Sequence, residues 1–322
     1  TKNKLTFPII LTLLYFVFNL ILVLNHEPWR DEINAWAGAK SLSFSNFYEI
    51  FYVEPHPPLW YLMLAPFAKL GLPLIFSNLL SLALMSVAVF LLAHFAPFKK
   101  STKIIIVLSS VFLYFNPVIS RNYALVILAG TLIAALYKSR FNHPVRFSLS
   151  LALLFQSHFL AAGLAGILSL IFFIELLSKS LKLKKPQKII APTAIVLSSI
   201  LVSVPLVVSN LSSHSIIVDT FSGANAASRP EILTLNQTIF GSTLPIFEFS
   251  FAISFLFFAI FYRRQLAYLF FSVGVHLFTV IFIYDAGISS PQKGTLLLFY
   301  LLFVFWTSKY ETPKEIHFLQ TF

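Results

Sequence analysis

The chain has no cysteine. That excludes a disulfide, a thiolate nucleophile and any metal site built on sulfur. Charge is also scarce. Lys, Arg, Asp and Glu make up 11% of the 322 residues, against about 25% in an ordinary soluble domain. Glycine is sparse too, with 10 residues and no Gly-rich nucleotide loop, so no nucleotide cofactor is expected. What is abundant is apolar: 58% of the chain, including 37 Phe, with a mean hydropathy of +0.84. No soluble fold could cover that much apolar surface. The composition describes an all-α polytopic membrane protein with lipid as part of its solvent.

The apolar runs predict about ten transmembrane helices, at 7–24, 73–94, 104–119, 122–138, 147–157, 159–177, 189–208, 245–262, 266–284 and 295–308. No cleavage signal follows the first run, which reads as a retained helix rather than a signal peptide. Residues 58–70 decide the topology. If they lie at the membrane interface rather than crossing it, Lys99, Lys100 and Lys103 fall on the cytoplasmic side, where basic loops belong. Both termini are then cytoplasmic. Most of the 23 Lys and Arg residues share that side, and of the 12 acids only Glu175, Glu311 and Glu315 do. The net charge of +11 is therefore a topology signal with a role toward anionic lipids. It is not a nucleic-acid footprint. The whole chain, 1–322, reads as one membrane domain with two long external segments, 25–72 and 209–244.

The densest chemistry lies just past the first span, in Arg30-Asp31-Glu32-Ile33-Asn34-Ala35-Trp36. The spacing predicts a short helix with Ile33, Trp36 and Ala37 on one face, and Leu42 and Phe44 beyond it. Asp31 and Glu32 would begin that helix, where its dipole favours acids. An acidic helix start in a solvated loop would look the same. Alternatively, a carboxylate here takes a proton from an acceptor hydroxyl, or holds a divalent cation beside a phosphate. The next element, Glu54-Pro55-His56-Pro57-Pro58-Leu59-Trp60-Tyr61-Leu62, holds His56 on a stiff, proline-fixed turn. Trp60 and Tyr61 suit the headgroup layer. Glu54 and His56 could complete a cation site with Asp31, or the turn could serve only to lead the chain back to the membrane.

These two elements together resemble the membrane-embedded GT-C glycosyltransferases, in the branch of the protein O-mannosyltransferases and aminoarabinose transferases. The resemblance rests on Arg30-Asp31-Glu32 with Trp36, then on His56-Pro57-Pro58-Leu59-Trp60-Tyr61-Leu62. It continues through Ser120-Arg121-Asn122-Tyr123 and, more weakly, Gln156-Ser157-His158-Phe159, and covers roughly the first half of the chain. It implies a GT-C-like fold with juxtamembrane helices in the first external loop. It implies an integral protein of a prokaryotic cytoplasmic membrane, with its active site on the extracytoplasmic face. The implied activity is inverting transfer of a sugar from a polyprenyl-phosphate donor to a glycan, lipid or protein acceptor. By the same resemblance Asp31 is the general base or metal-associated carboxylate and Glu32 its supporting acid. A divalent cation (Mg, Mn or Zn) is the implied cofactor, with Asp31 and His56 as its candidate ligands. One departure stands out. Many relatives carry an acid a few residues past the Arg, whereas here the stretch is Asn122-Tyr123-Ala124-Leu125-Val126-Ile127.

The remaining polar positions fit two roles each. Arg121 is either a headgroup-seeking side chain or a forked clamp on a lipid-linked phosphate. Lys293, at the outer start of the last run, could contact the donor phosphate or simply headgroups. His158 is a substrate contact, or an interfacial His bonded to Gln156 or Ser157. Segment 209–244 is a candidate lid or acceptor surface. Two other classes of function remain compatible with the sequence. A lipid-linked glycan flippase or transporter would need polar sites deep in the membrane, and a noncatalytic scaffold would not need Asp31.

Overall fold

A computed structural model of the chain describes residues 3–43, 45, 56–182, 187–213 and 294–310. These residues are helical, with no strand among them. The described elements are α1 (Asn3–Leu24), α2 (Arg30–Ser41), α3 (Leu59–Lys69), α4 (Ile75–Phe95), α5 (Lys100–Val107), a π-helical turn (Val111–Phe115), α6 (Tyr123–Leu136), α7 (Pro144–Phe155), α8 (Phe159–Lys182), α9 (Gln187–Ser213) and α10 (Gly294–Ser308).

Three stretches are long and apolar enough to cross a membrane: Leu5–Leu24, Ile75–Phe95 and Ala161–Lys179. The chain is thus an integral, polytopic α-helical membrane protein. α1 shows how the sequence divides lipid from protein. Ile10, Leu13, Leu14, Val17, Ile21 and Leu24 are exposed, whereas Tyr15, Asn19 and Val23 are buried. The buried residues recur every fourth position and so form one helical stripe. That side packs along α4. Leucine and isoleucine on the other side face what would be hydrocarbon.

α4 in turn packs on α6. α6 contacts α7 and α10, and α7 contacts α8 and α9. Their shared core includes Leu82, Met85, Phe112, Ile127, Leu151, Phe172 and Trp306. A second, smaller core joins α2 to α3 through Ala35, Ala39, Leu42, Trp60, Leu64, Ala65 and Ala68, with Leu125 of α6 touching it. The alanines on both helices let the two backbones approach closely.

α3 stops because of Gly71. Its φ of +75° is a left-handed conformation that glycine adopts without penalty. The Gly71 and Leu72 N–H groups turn back to the carbonyls of Ala68 and Phe67, both at 3.2 Å. This is a Schellman closure, and Pro73 follows it. α3 therefore has 11 residues, about 16 Å of helix, too short to cross a bilayer alone.

Several sequence expectations change. The run 104–119 is not one helix. α5 ends at Val107, and a π-helical turn begins at Val111. Polar side chains at this break bond to backbone carbonyls: Ser109 Oγ donates to Ile106 and Asn116 Nδ2 to Val111. α9 runs on to Ser213, five residues beyond the expected end of its span. On α2 the buried face is Glu32, Ala35 and Ala39. Ile33 and Ala37 share a face, as the spacing predicts, and it is the exposed one, because the face of α2 with small residues is the one that fits α3. Trp60 and Tyr61 are 2% exposed and belong to this second core. The expected spans 245–262 and 266–284, and the segment 214–244, lie outside the described residues.

The two ends of the bundle differ in chemistry. At one end Lys100 lies over the Phe7 ring and Lys103 Nζ donates to the Ala93 carbonyl at 2.7 Å. There Arg140 also grips Glu175 through two N–H groups at 3.0 and 3.2 Å. The other end holds Asp31, Glu32, His56, Arg121 and His158.

Candidate functional site

The site is built around Glu32. It is the third residue of α2, and its Oε2 accepts the backbone N–H of Trp29 at 2.7 Å, as the acidic arm of a capping box does. His26 Nε2 lies 2.8 Å from the same oxygen. Oε1 accepts Asn78 Nδ2 at 2.7 Å, the Ser120 N–H at 2.7 Å and the Ser120 hydroxyl at 2.9 Å. The side chain is 0% exposed. Burial alone would raise its pKa. The bonds from Trp29, His26 and Ser120 outweigh burial and hold the carboxyl below its usual range. Glu32 is therefore a buried, ionised anchor whose oxygens are occupied by protein donors. It joins the turn after α1, the start of α2, the N-terminal end of α4 and the turn before α6.

Holding residue 32 against residue 120 brings their neighbours together. Asp31 forms an ion pair with Arg121. The Asp31 side chain is 45% exposed and that of Arg121 17%, so the pair sits at a mouth with the arginine on the inner side. Arg30 Nε lies 3.7 Å from the other Asp31 oxygen, on the solvent side. Asp31, Ala35, His56, Trp60, Tyr61, Arg121 and Asn122 line one small pocket that opens to solvent. His56 packs on His158, with ring centroids 4.6 Å apart, and Tyr123 packs on His158 at 4.5 Å. Burial first, and then the Arg121 charge, lower the His56 pKa to about 3, against the opposing pull of Asp31. At neutral pH His56 is an uncharged ring.

The structure thus brings together Asp31, Glu32, His56, Arg121 and His158 from separated parts of the sequence. Glu54 and Lys293 lie outside the described residues. Gln156, expected beside His158, donates to the carbonyl and hydroxyl of Ser199 at 3.0 and 3.1 Å. Ser157 donates to Leu154 at 2.7 Å. Among the described residues no group of three or more His, Asp or Glu is gathered as for a metal ion. Asp31 and His56 do line one pocket, and would offer a divalent cation two protein ligands.

Sequence reasoning missed His26, Asn78 and Ser120, which hold Glu32, and the inward roles of Trp60 and Asn122. A signal existed for one of them. Asn78 is an amide inside an apolar run, and polar groups at such positions mark packing or function. It is 3% exposed and also donates to the Val118 carbonyl at 2.7 Å.

No known protein family, characterised protein or solved structure matches this chain.

Proposed function

We propose that this protein is a membrane-embedded glycosyltransferase of the GT-C kind. It moves a sugar from a polyprenyl phosphate to an acceptor hydroxyl at the extracytoplasmic face. The observation that carries the reading is the Asp31–Arg121 ion pair at the mouth of a pocket, at the bundle end opposite Lys100, Lys103 and Arg140. A carboxylate that can accept a proton and a guanidinium that can hold a phosphate are the two charged groups such a transfer requires.

In the resting state the two groups neutralise each other. An incoming donor phosphate competes for the Arg121 guanidinium, whose planar fork suits it. Asp31 is then released toward the acceptor. It takes the hydroxyl proton as the acceptor oxygen attacks the anomeric carbon from the face opposite the phosphate. The new C–O bond forms as the bond from the anomeric carbon to the phosphate oxygen breaks. Configuration inverts, and polyprenyl phosphate leaves with its added charge balanced by Arg121. Glu32 acts by position, holding Asp31 in register with Arg121. The carrier's hydrocarbon would lie along the lipid-facing helices, which accounts for the scarcity of soluble structure.

The test is transfer of a labelled sugar from a panel of polyprenyl-phosphate hexoses and pentoses, with native membrane extract as the source of acceptors. The expected result is transfer by the wild type and a loss of about 100-fold or more in Asp31→Asn. A folded Asp31→Asn protein that transfers at the wild-type rate would reject the reading.

A further inference from the structure

Two polar groups in the pocket are left over by the charge chemistry. Asn122 is 2% exposed and Trp60 is 2% exposed. Both line the pocket beside Asp31 and Arg121. Neither the Nδ2 nor the Oδ1 of Asn122 has a hydrogen-bond partner among the described residues, and neither does the Trp60 indole N–H. Buried polar atoms are normally paired, and leaving one unpaired costs stability.

The position of Asn122 sharpens the point. It precedes α6, at the place where asparagine usually caps a helix by accepting a backbone N–H through its side chain. Here it makes no such cap. Its own backbone is helical, with φ −60° and ψ −9°, and this does not turn the side chain back onto the helix end. The side chain is thus unused at the one local task its residue type performs best.

We propose that Asn122 and Trp60 form a neutral subsite that reads a pair of hydroxyl groups on an uncharged sugar ring. The chemistry follows from the unpaired atoms. The amide supplies N–H donors and one carbonyl acceptor, and the indole supplies one donor only. A phosphate or carboxylate can accept from the two donors but offers nothing to the Asn122 carbonyl. An ammonium group can satisfy the carbonyl but nothing else. A hydroxyl both donates and accepts, so two neighbouring hydroxyls satisfy the whole set. The anionic part of the ligand has its own partner in Arg121. The pocket is therefore divided, with charge read by Arg121 and hydroxyls read by Asn122 and Trp60. This assignment rests on the transferase reading for the sugar's carrier, but not for the hydroxyls themselves.

The experiment measures thermal stabilisation of purified protein by three probes: polyprenyl phosphate, the same carrier bearing an unmodified hexose, and free methyl hexosides at high concentration. Wild type should gain more from the hexose-bearing carrier than from the bare one. Asn122→Leu and Trp60→Phe should respond equally to both carriers, losing the sugar's share of affinity, about tenfold for each hydrogen-bonding group removed. Without ligand, Asn122→Leu should melt no lower than wild type, because it removes atoms the protein does not pair. A sugar increment retained in both variants, or a melting temperature several degrees lower in Asn122→Leu, would overturn the subsite. If wild type responds to neither carrier but is stabilised by methyl hexosides in an Asn122-dependent way, the lipid-donor reading fails and the hydroxyl subsite stands. No response to any sugar overturns the subsite.

Discussion

Ser120 gives Glu32 both its backbone N–H and its hydroxyl, at 2.7 and 2.9 Å, on a single carboxylate oxygen. Ser77 adds a 2.7 Å hydrogen bond to the same Ser120 hydroxyl. The contact joins residues 88 positions apart and sets the register of the next pair along, Asp31 with Arg121.

Glu32→Gln should therefore damage the fold more than the chemistry. The substitution removes the charge that offsets desolvation. It also places an amide N–H₂ against donors from Trp29, Asn78 or Ser120. Loss of about 2–4 kcal/mol is expected, from charge-assisted bonds broken at a buried site. The measurement is thermal or denaturant unfolding in detergent. A Glu32→Gln protein as stable as wild type would remove Glu32 from its anchoring role.

The Asp31–Arg121 pair predicts a split between two variants. Asp31→Asn should leave the binding of bare polyprenyl phosphate intact or stronger, since Arg121 no longer has a competing carboxylate. Its transfer rate should fall by about 100-fold or more. Arg121→Lys keeps the charge but loses the fork, and should weaken carrier binding directly. Equal carrier affinity in wild type and both variants would show that the pair does not meet the phosphate.

Acid should destabilise the protein in two stages. His56 titrates at about 3 in the fold against 6.5 in the unfolded chain. Between those values the unfolded chain holds more protons, so stability falls as pH falls from about 6.5. Glu32 lies below its ordinary value of 4.5. It is protonated first in the unfolded chain, and its contribution is lost as pH falls below that value. Melting temperatures should be nearly level from pH 7.5 to about 6.5 and decline from there to pH 4. His56→Gln should flatten the part between 6.5 and 4.5 and leave a shallower decline below 4.5, due to Glu32. An unchanged profile in that variant would exclude His56 as the source of the first stage.

Gly130 marks a close helix contact. A Cβ there would overlap the ring of Phe299, which is 3% exposed and packed between α6 and α10. Gly130→Ala should cost about 1–3 kcal/mol, the range for overpacking. Gly166→Ala is the control. A Cβ at that position meets nothing within 4 Å, and alanine is the better helix former. The two variants melting alike would place α10 elsewhere.

Topology is open to a direct test because the chain has no native cysteine. Single cysteines at Arg30 and Lys100 should differ in reaction with a membrane-impermeant thiol reagent on intact cells. Labelling at position 30 and not at 100 is expected. The reverse would invert the orientation and place the proposed site on the cytoplasmic side.

Much of the helical layout was legible from the apolar runs, because a lipid-facing helix shows its length directly in the sequence. α1, α4 and α8 fall where their runs do. The break near residues 108–110 was not legible, since it depends on the side chains of Ser109 and Asn116 bonding to carbonyls inside an apolar stretch. Which face of α2 is buried was not legible for a related reason. Hydrophobicity favoured Ile33 and Trp36, whereas helix-to-helix fit favoured Ala35 and Ala39. For the site, Asp31, His56 and Arg121 were readable as separate motifs. Their meeting was not, because it depends on Asn78 and Ser120, whose value lies only in reaching Glu32.

The anchoring of Glu32 also bears on the order of assembly. Its donors come from His26, Trp29, Asn78 and Ser120, and a ribosome delivers them in that sequence. Until Ser120 has been made and the segment carrying it has docked, the acid lacks two of its donors. Water or a chaperone must solvate it meanwhile. The pocket therefore cannot mature one helix at a time. It is complete only after α4 and the turn before α6 are both in place, and a chain arrested before residue 120 would hold its acids at the membrane surface without the arginine that completes them.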